Sequence, residues 1–257
     1  MLKHRTLQVG AVSIGLLMVA SLAHALPDWL PGATVVGSAG PESSPMNITA
    51  MMLEGNSAST TVSNDGNAVT FMNGSITMTG MWEWNWTSIT LDIDPIVSFV
   101  GGFNNISGMA QDFVFGLSTP ISPALTSTLY GGSTNVTYGD ANFDGLGGLF
   151  NDTSGNPAYT GTIDGSGVLN MLASLSLSPA FAGDTTQSAS EVQGLPGPTI
   201  PGPAANSTIG ILHRFNLSAG DQATYNSTFQ VVVPEPGTFA LLTLGLVSLA
   251  AVRRRLP

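Results

Sequence analysis

The sequence predicts an all-β protein: a single antiparallel β-sandwich of jelly-roll-like build, framed by an N-terminal signal peptide and a short C-terminal transmembrane helix. Three observations carry this expectation. Between Asn47 and Val233, apolar residues alternate with polar ones in short runs, the period of two that half-buried strands impose. The same stretch is rich in Thr, Ser, Asn and Gly, a composition that favours strands and turns over helices. At each end a basic cluster adjoins an apolar run. The expected division is residues 1–25 as signal peptide, 26–232 as sandwich and 233–257 as a terminal membrane-directed segment.

Taken in order, Lys3, His4 and Arg5 open the chain, Leu7 to Ala20 form an apolar core, and Ala23-His24-Ala25 follows. Small residues at Ala23 and Ala25 suit signal peptidase, which places cleavage after Ala25. The apolar core of about 14 residues is shorter than the roughly 20 that span a bilayer as a helix. No cysteine is present, so the fold has no disulfide and must be held by burial. The roughly 210 residues between the two ends suffice for one large core.

Strand expectations rest on residue parity. Val69 and Phe71, then Ile76 and Met78, then Trp82, Trp84 and Trp86, then Ile89, Leu91 and Ile93, then Phe113, Phe115 and Leu117 each place apolar groups on one face. The change from even to odd numbers between Trp86 and Ile89 predicts a bulge or bend, because one extra residue exchanges the faces of a strand. A closing hairpin is expected from Ile209–Leu217 and Ala223–Val233 around Ser218-Ala219-Gly220-Asp221. The run from Gly194 to Pro203 holds too much proline for a central strand and reads as an exposed, partly extended loop.

Charge is distributed unevenly. Five of the six basic residues are Lys3, Arg5 and Arg253 to Arg255, whereas all sixteen acidic residues lie between Asp28 and Glu235. Arg214 is therefore the single basic residue facing sixteen acids there, a formal charge of −15. Such a surface repels phosphate backbones, which argues against nucleic acid as a partner and in favour of solubility, divalent cations or hydrated matrix material.

The chain ends with Pro234-Glu235-Pro236, an apolar run over 238–252, and Arg253, Arg254 and Arg255. Proline flanking stops a strand, and an arginine cluster resists translocation, so both ends of the precursor are expected on the cytoplasmic side. As a helix, the apolar run would rise roughly 22 Å, short of the ~30 Å hydrocarbon core. This order resembles the PEP-CTERM signal of Gram-negative bacteria. The resemblance implies recognition and processing by an exosortase, transient residence in the inner membrane, and release to the cell envelope, surface or extracellular matrix. Asp94-Pro95-Ile96-Val97-Ser98, Asn104-Asn105, Phe113-Val114-Phe115, Pro120-Ile121-Ser122-Pro123 and Tyr138-Gly139-Asp140 further resemble a set of PEP-CTERM surface proteins. That likeness implies a β-sandwich and a structural role associated with exopolysaccharide and biofilm.

Other residues offer chemistry. Asp140-Ala141-Asn142-Phe143-Asp144-Gly145 places oxygen ligands at alternate positions and glycine at the sixth, as a calcium loop opens. The twelfth position is Asn151 and the acid Asp152 falls one place late, so the segment reads either as a calcium loop with Asp140, Asn142 and Asp144 as ligands or as an Asx-rich turn. Asp164-Gly165-Ser166-Gly167 reads as a turn. Trp82, Trp84 and Trp86 share one face, either as core or, if exposed, as a platform on which saccharide rings could stack. Glu83, Asp92 and Asp94 lie near one another in sequence as a candidate hydrolytic set, although no spacing fixes a distance across the sheet, and lone His213 beside Arg214 reads as a surface residue rather than a base. Without cysteine, a Gly-x-Ser-x-Gly turn or a histidine cluster, no enzyme activity and no cofactor are expected. Nine Asn-x-Ser/Thr triplets read either as glycosylation acceptors or as a product of a composition rich in Asn, Ser and Thr.

Overall fold

In this computed structural model the described residues are 28, 30, 33–39, 46–47, 57–179 and 186–234. Ala23 and Ala25, Glu235 and Pro236, the 238–252 run and Arg253 to Arg255 lie outside them.

In chain order the first strands are β1 (Thr34–Ala39), β2 (Met46–Asn47), β3 (Ser57–Val62), β4 (Ala68–Met78), β5 (Trp82–Asp92), β6 (Ile96–Asn105), β7 (Gln111–Pro120) and β8 (Thr128–Gly139). They are followed by β9 (Leu149–Phe150), β10 (Tyr159–Ile163), β11 (Ser166–Met171), β12 (Ser176–Leu177), β13 (Thr186–Gln193), β14 (Ile200–Gly202), β15 (Thr208–Leu217) and β16 (Gln222–Val232). Two antiparallel sheets result. One runs β11-β10-β15-β7-β1-β2, with β9 also on β15 and β12 on β9; the other runs β13-β8-β16-β6-β5-β4-β3, with β14 on β8. The all-β expectation holds. The jelly-roll detail does not, because that build divides eight strands between two sheets, whereas here each sheet alone contains eight and β3 to β6 form a plain meander.

The sheets meet through aromatic side chains. Phe115 on β7 lies 4.6 Å from Trp84 and 4.8 Å from Phe99 between ring centroids, and Phe103 lies 5.2 Å from Phe215. Each pair joins opposite sheets at the separation where tilted rings attract. Across the same gap Tyr159 donates its hydroxyl to the Thr228 carbonyl at 2.9 Å, and Tyr130 donates to Val168 at 2.8 Å.

The bulge stands where parity placed it. Pairing of β5 with β6 shifts between Trp86 and Ser88, so Thr87 is the extra residue, and β4 skips Asn73 on the facing rung. Asn73 takes φ 50°, a left-handed conformation that asparagine tolerates better than most residues. Both strands thereby turn over together, and Val69, Phe71, Ile76, the tryptophans, Ile89 and Leu91 all reach one core.

Two expectations are corrected. The segments around Ser218–Asp221 begin and end nearly as expected, yet they form a corner between sheets and not a hairpin: β15 pairs with β7 and β10, while β16 pairs with β6 and β8. Both strands have their two sides already filled by partners within their own sheets, so neither has an edge left to pair with the other. The proline-rich run is a loop only over 194–199; Ile200–Gly202 returns to pair with β8 beyond the point where β13 leaves it. Proline fits there because an edge strand needs fewer ladder donors.

Candidate functional site

One end of the sandwich gathers the polar groups that the core excludes. β8 ends at Gly139, and the next residue, Asp140, is only 2% exposed. Its Oδ2 accepts the Gly145 N–H at 2.8 Å. That bond closes the loop on itself, with Gly145 at φ 69°, a conformation that glycine adopts without strain. Asn142 Oδ1 accepts the Asp144 N–H at 3.1 Å, and Asp144 Oδ1 accepts the Leu146 N–H at 2.7 Å. Asn142 and Asp144 are exposed at the loop's outer rim.

The corner between β15 and β16 packs directly against this loop. Asn142 donates through Nδ2 to the Ala219 carbonyl at 3.2 Å, and the Gly148 N–H donates to Ser218 Oγ at 2.9 Å. A side chain at Gly220 would place its Cβ 2.6 Å from Asn142 Nδ2, so glycine is what permits the close approach. Asp221, 1% exposed, accepts the Tyr138 hydroxyl on Oδ2 at 3.1 Å. Burial, followed by the charges of Asp140 and Asp144, raises the Asp221 carboxyl to about 6. Burial and the Asp221 charge hold the Tyr138 phenol above its ordinary range.

Asn105 locks the corner to β6. Its Nδ2 donates to the carbonyls of Met109, Leu217 and Ser218 at 2.8, 2.9 and 3.0 Å, while its backbone exchanges bonds with Asp221 and Gly220. Asn151, the residue at the twelfth loop position, is likewise engaged, donating to Asn156 and Leu172 and accepting from Leu175. Asp152 accepts the Asn156 backbone and side-chain N–H groups and so closes its own turn.

The remaining sequence candidates fall elsewhere. Trp82, Trp84 and Trp86 are 4%, 1% and 2% exposed. The saccharide platform is therefore corrected: rings enclosed between two sheets cannot stack on a sugar without opening the sandwich. Glu83 accepts from Asn104 at 2.9 Å near the start of β5, and Asp92 accepts the Asp94 N–H at 2.8 Å at its far end. Nine residues of strand separate Glu83 and Asp92 by about 30 Å, well beyond the ~5–9.5 Å of a hydrolytic pair. The surface reading of His213 is also overturned. The ring is wholly buried among Tyr225, Tyr159, Phe99 and Phe115, with centroids 4.5, 5.6, 5.9 and 6.3 Å away. Neither ring nitrogen has a hydrogen-bond partner, and burial pushes the imidazole down to about 3.

Asp164 does sit in a turn, where it performs structural work. It accepts the backbone N–H groups of Asn206, Ser207 and Thr208. These bonds hold its carboxyl below the usual carboxylate range, against the opposing effect of burial.

The last described residues follow the end of the final strand. β16 ends at Val232, and Val233 and Pro234 leave the sheet beside a depression of about 450 Å³ lined by Asp94, Pro95, Ile96, Leu125 and Gln230. Residues 232–255 match the PEP-CTERM protein-sorting motif. The chain carries a PEP-CTERM sorting signal. The motif implies an exosortase-targeted protein that passes through the membrane to the cell surface. It starts on the last residue of β16, so the sorting segment follows the sandwich with no spacer between them. No curated protein matches the chain.

Asp221, Tyr138, Ser218 and Asn105 are the partners that sequence reasoning did not connect to the Asp140 loop. Gly220-Asp221 read as a turn, and no local spacing ties it to a residue some eighty positions earlier. The paired Asn104-Asn105 and Tyr138-Gly139-Asp140 were visible as motifs, but their common location at one end of the sandwich was not.

Proposed function

We propose that the mature protein is a non-catalytic structural component of the cell surface or extracellular matrix, associated with exopolysaccharide in biofilm. The observation that carries this reading is the PEP-CTERM motif joined directly to the final strand of an all-β body. Removal of the tail by exosortase would release the sandwich without disturbing its ladder, because Val232 is the last paired residue of β16. Signal peptidase cleavage after Ala25 and a brief stay in the inner membrane complete the route.

Two features support a matrix component over a soluble enzyme. The three tryptophans of β5 are enclosed in the inter-sheet core, Glu83 accepts from Asn104, and Asp92 closes a turn on the Asp94 N–H. The formal charge of −15 between Asp28 and Glu235 suits a hydrated polymer layer in which the protein must stay dispersed.

The test is fractionation of the producing cells. Wild-type protein is expected in the extracellular polymer fraction, and a form truncated after Val233 is expected to miss the surface route and leave the polymer layer thinner or less cohesive. Equal polymer yield and cohesion with and without the gene would overturn the structural role, while leaving the sorting assignment standing.

A further inference from the structure

We propose that mature copies of this chain join head to tail, with Phe143 and Leu146 at the tip of one sandwich entering the depression beside Val233 at the far end of the next. The partner is a second copy of this chain, and the contact repeats without closing.

The tip is built from crossings between the sheets that lie side by side. β16 is flanked by β8 and β6, so the chain leaving β8 at Gly139, entering β16 at Gln222 and leaving β6 at Asn105 emerges at neighbouring points about 4.8 Å apart. The β15–β16 corner therefore sits between the β8–β9 and β6–β7 loops, and bonds from Asn142 to Ala219 and from Asn105 to Ser218 hold it to both sides. The β4–β5 turn lies alongside, because Trp82 pairs with Asn105. Among the described residues eight large apolar side chains are exposed, and five of them stand here: Met81, Ile106, Met109, Phe143 and Leu146. Single apolar residues on a surface are ordinary, whereas a group gathered at one end marks a contact.

Phe143 and Leu146 are the most open of the eight, at 70% and 69%. Phe143 is held out at a conformational disadvantage, since its φ of 60° lies in the left-handed region that a bulky side chain seldom adopts. Bonds within the loop fix this backbone: Asn142 Oδ1 accepts the Asp144 N–H, and Asp140 Oδ2 accepts the Gly145 N–H. At its exposure the ring leaves roughly 140 Å² open to water.

The opposite end offers the receiving surface. Pro95 and Ile96 from the β5–β6 turn, Leu125 and the end of β16 line the depression of about 450 Å³. That volume falls within the ~300–1,000 Å³ of pockets that enclose small organic ligands, ample for a phenyl ring and an isobutyl group. Val233, another of the eight exposed apolar residues, stands at its rim. β16 runs from Gln222 at the tip to Val232 at the depression, roughly 35 Å, so the two surfaces cannot meet within one molecule. A contact between unlike patches on opposite ends extends as an open chain unless its rotation closes a ring.

The place where the chain ends agrees with this order. The sorting motif begins at residue 232, at the rim of the depression, so a tethered precursor turns that end to the membrane and tail removal frees it. An anionic bilayer fits the tip less well, because the β6–β7 and β8–β9 loops hold no basic residue and the body carries a formal −15. Seven strands at ~4.8 Å and two layers of side chains give each end roughly 600 Å², or about 1,200 Å² per contact, the lower limit of specific interfaces. Association is therefore weak, with a dissociation constant in the micromolar range or above. Asp144 beside the ring and Asp94 in the depression are exposed and alike in charge, so salt strengthens the contact by screening them. This inference goes beyond the matrix role and does not depend on exopolysaccharide.

The experiment is sedimentation velocity on the processed protein recovered from the producing cell, at about 5–200 μM and in ~0.1 M and ~1 M sodium chloride. Wild type should pass about three times the monomer mass at the top of this range, and at lower concentration in high salt. Phe143→Gly removes the ring and relieves the left-handed backbone, so its melting midpoint should hold or rise while assembly is lost. Ile96→Glu, or Gln230→Glu on the same rim, places a charge in the depression and should also sediment as monomer. Each variant keeps one half of the contact, so an equimolar mixture of a tip variant and a rim variant should recover about twice the monomer mass and nothing larger. A wild type that stays monomeric, a Phe143→Gly protein that assembles like wild type, rim variants that still dimerise through paired tips, or a mixture that remains monomeric would overturn the proposal.

Discussion

Replacing His213 by leucine should flatten the acid side of the stability profile, and the size of the effect follows from the burial of one ring. The imidazole sits inside an aromatic shell with both nitrogens unpartnered and is pushed to about 3, whereas in an unfolded chain it titrates near its ordinary ~6.5. A depressed value means that the unfolded state binds a proton that the folded state refuses. Stability tied to this group is therefore complete above about pH 6.5 and drains away as pH falls toward about 3. At 1.36 kcal/mol per pH unit, the loss between pH 7 and pH 4.5 is roughly 2.5 kcal/mol. Tyr159 and Tyr225 face the ring, but burial holds both phenols above their ordinary range, so they stay neutral throughout this window. Carboxylates elsewhere also respond to acid, and comparing His213→Leu with wild type at both pH values cancels their contribution. Denaturant unfolding at pH 7 and pH 4.5 provides the four free energies. Wild type should lose about 2–3 kcal/mol more than the variant. Parallel losses, agreeing within about 0.5 kcal/mol, would refute the claim that this imidazole is buried and neutral.

Four further outcomes are expected. Asn105→Ala removes a side chain that donates to three carbonyls and should lower unfolding free energy by about 2–4 kcal/mol, measured by denaturant titration. Trp84→Ala empties a site in contact with Phe99, Phe103 and Phe115 and should reduce stability by about 3–5 kcal/mol. In a Trp29→Phe background, tryptophan emission from residues 82, 84 and 86 should be blue-shifted, poorly quenched by acrylamide and unaltered by added polysaccharide; efficient quenching would show the rings to be exposed. Asp164→Ala should release the turn that anchors the start of β15, and hydrogen exchange at Asn206 to Thr208 should accelerate by at least tenfold if those bonds protect the amides.

Much of the strand layout was legible because it depends on local parity. The odd-even switch between Trp86 and Ile89 placed a bulge or bend in that interval, since a displaced face in β5 would have put tryptophan in water, and the pairing then puts the extra residue at Thr87. The core itself could be read from Phe113, Phe115 and Leu117 in the same way. Pairing was less legible: Thr208–Leu217 and Gln222–Val232 look like the arms of a hairpin, but which sheet each joins is decided by partners about a hundred residues away. His213 was misread for a related reason. Its neighbour Arg214 suggested a surface, although adjacent residues on a strand point in opposite directions and one exposed side chain implies a buried neighbour. The Asp140 loop announced itself by spacing, but Asp221 could join it only through the corner that the sequence disguised as a hairpin.

The central claim is that the chain is an exported sandwich whose sorting tail is removed. Intact mass and terminal sequencing of the protein recovered from the surface of the producing cell test this most directly. A species beginning at Leu26 and ending at Pro234 or Glu235 is the predicted result. A full-length chain, carrying Met1 and Arg253 to Arg255 and recovered from the cytosol, would contradict it.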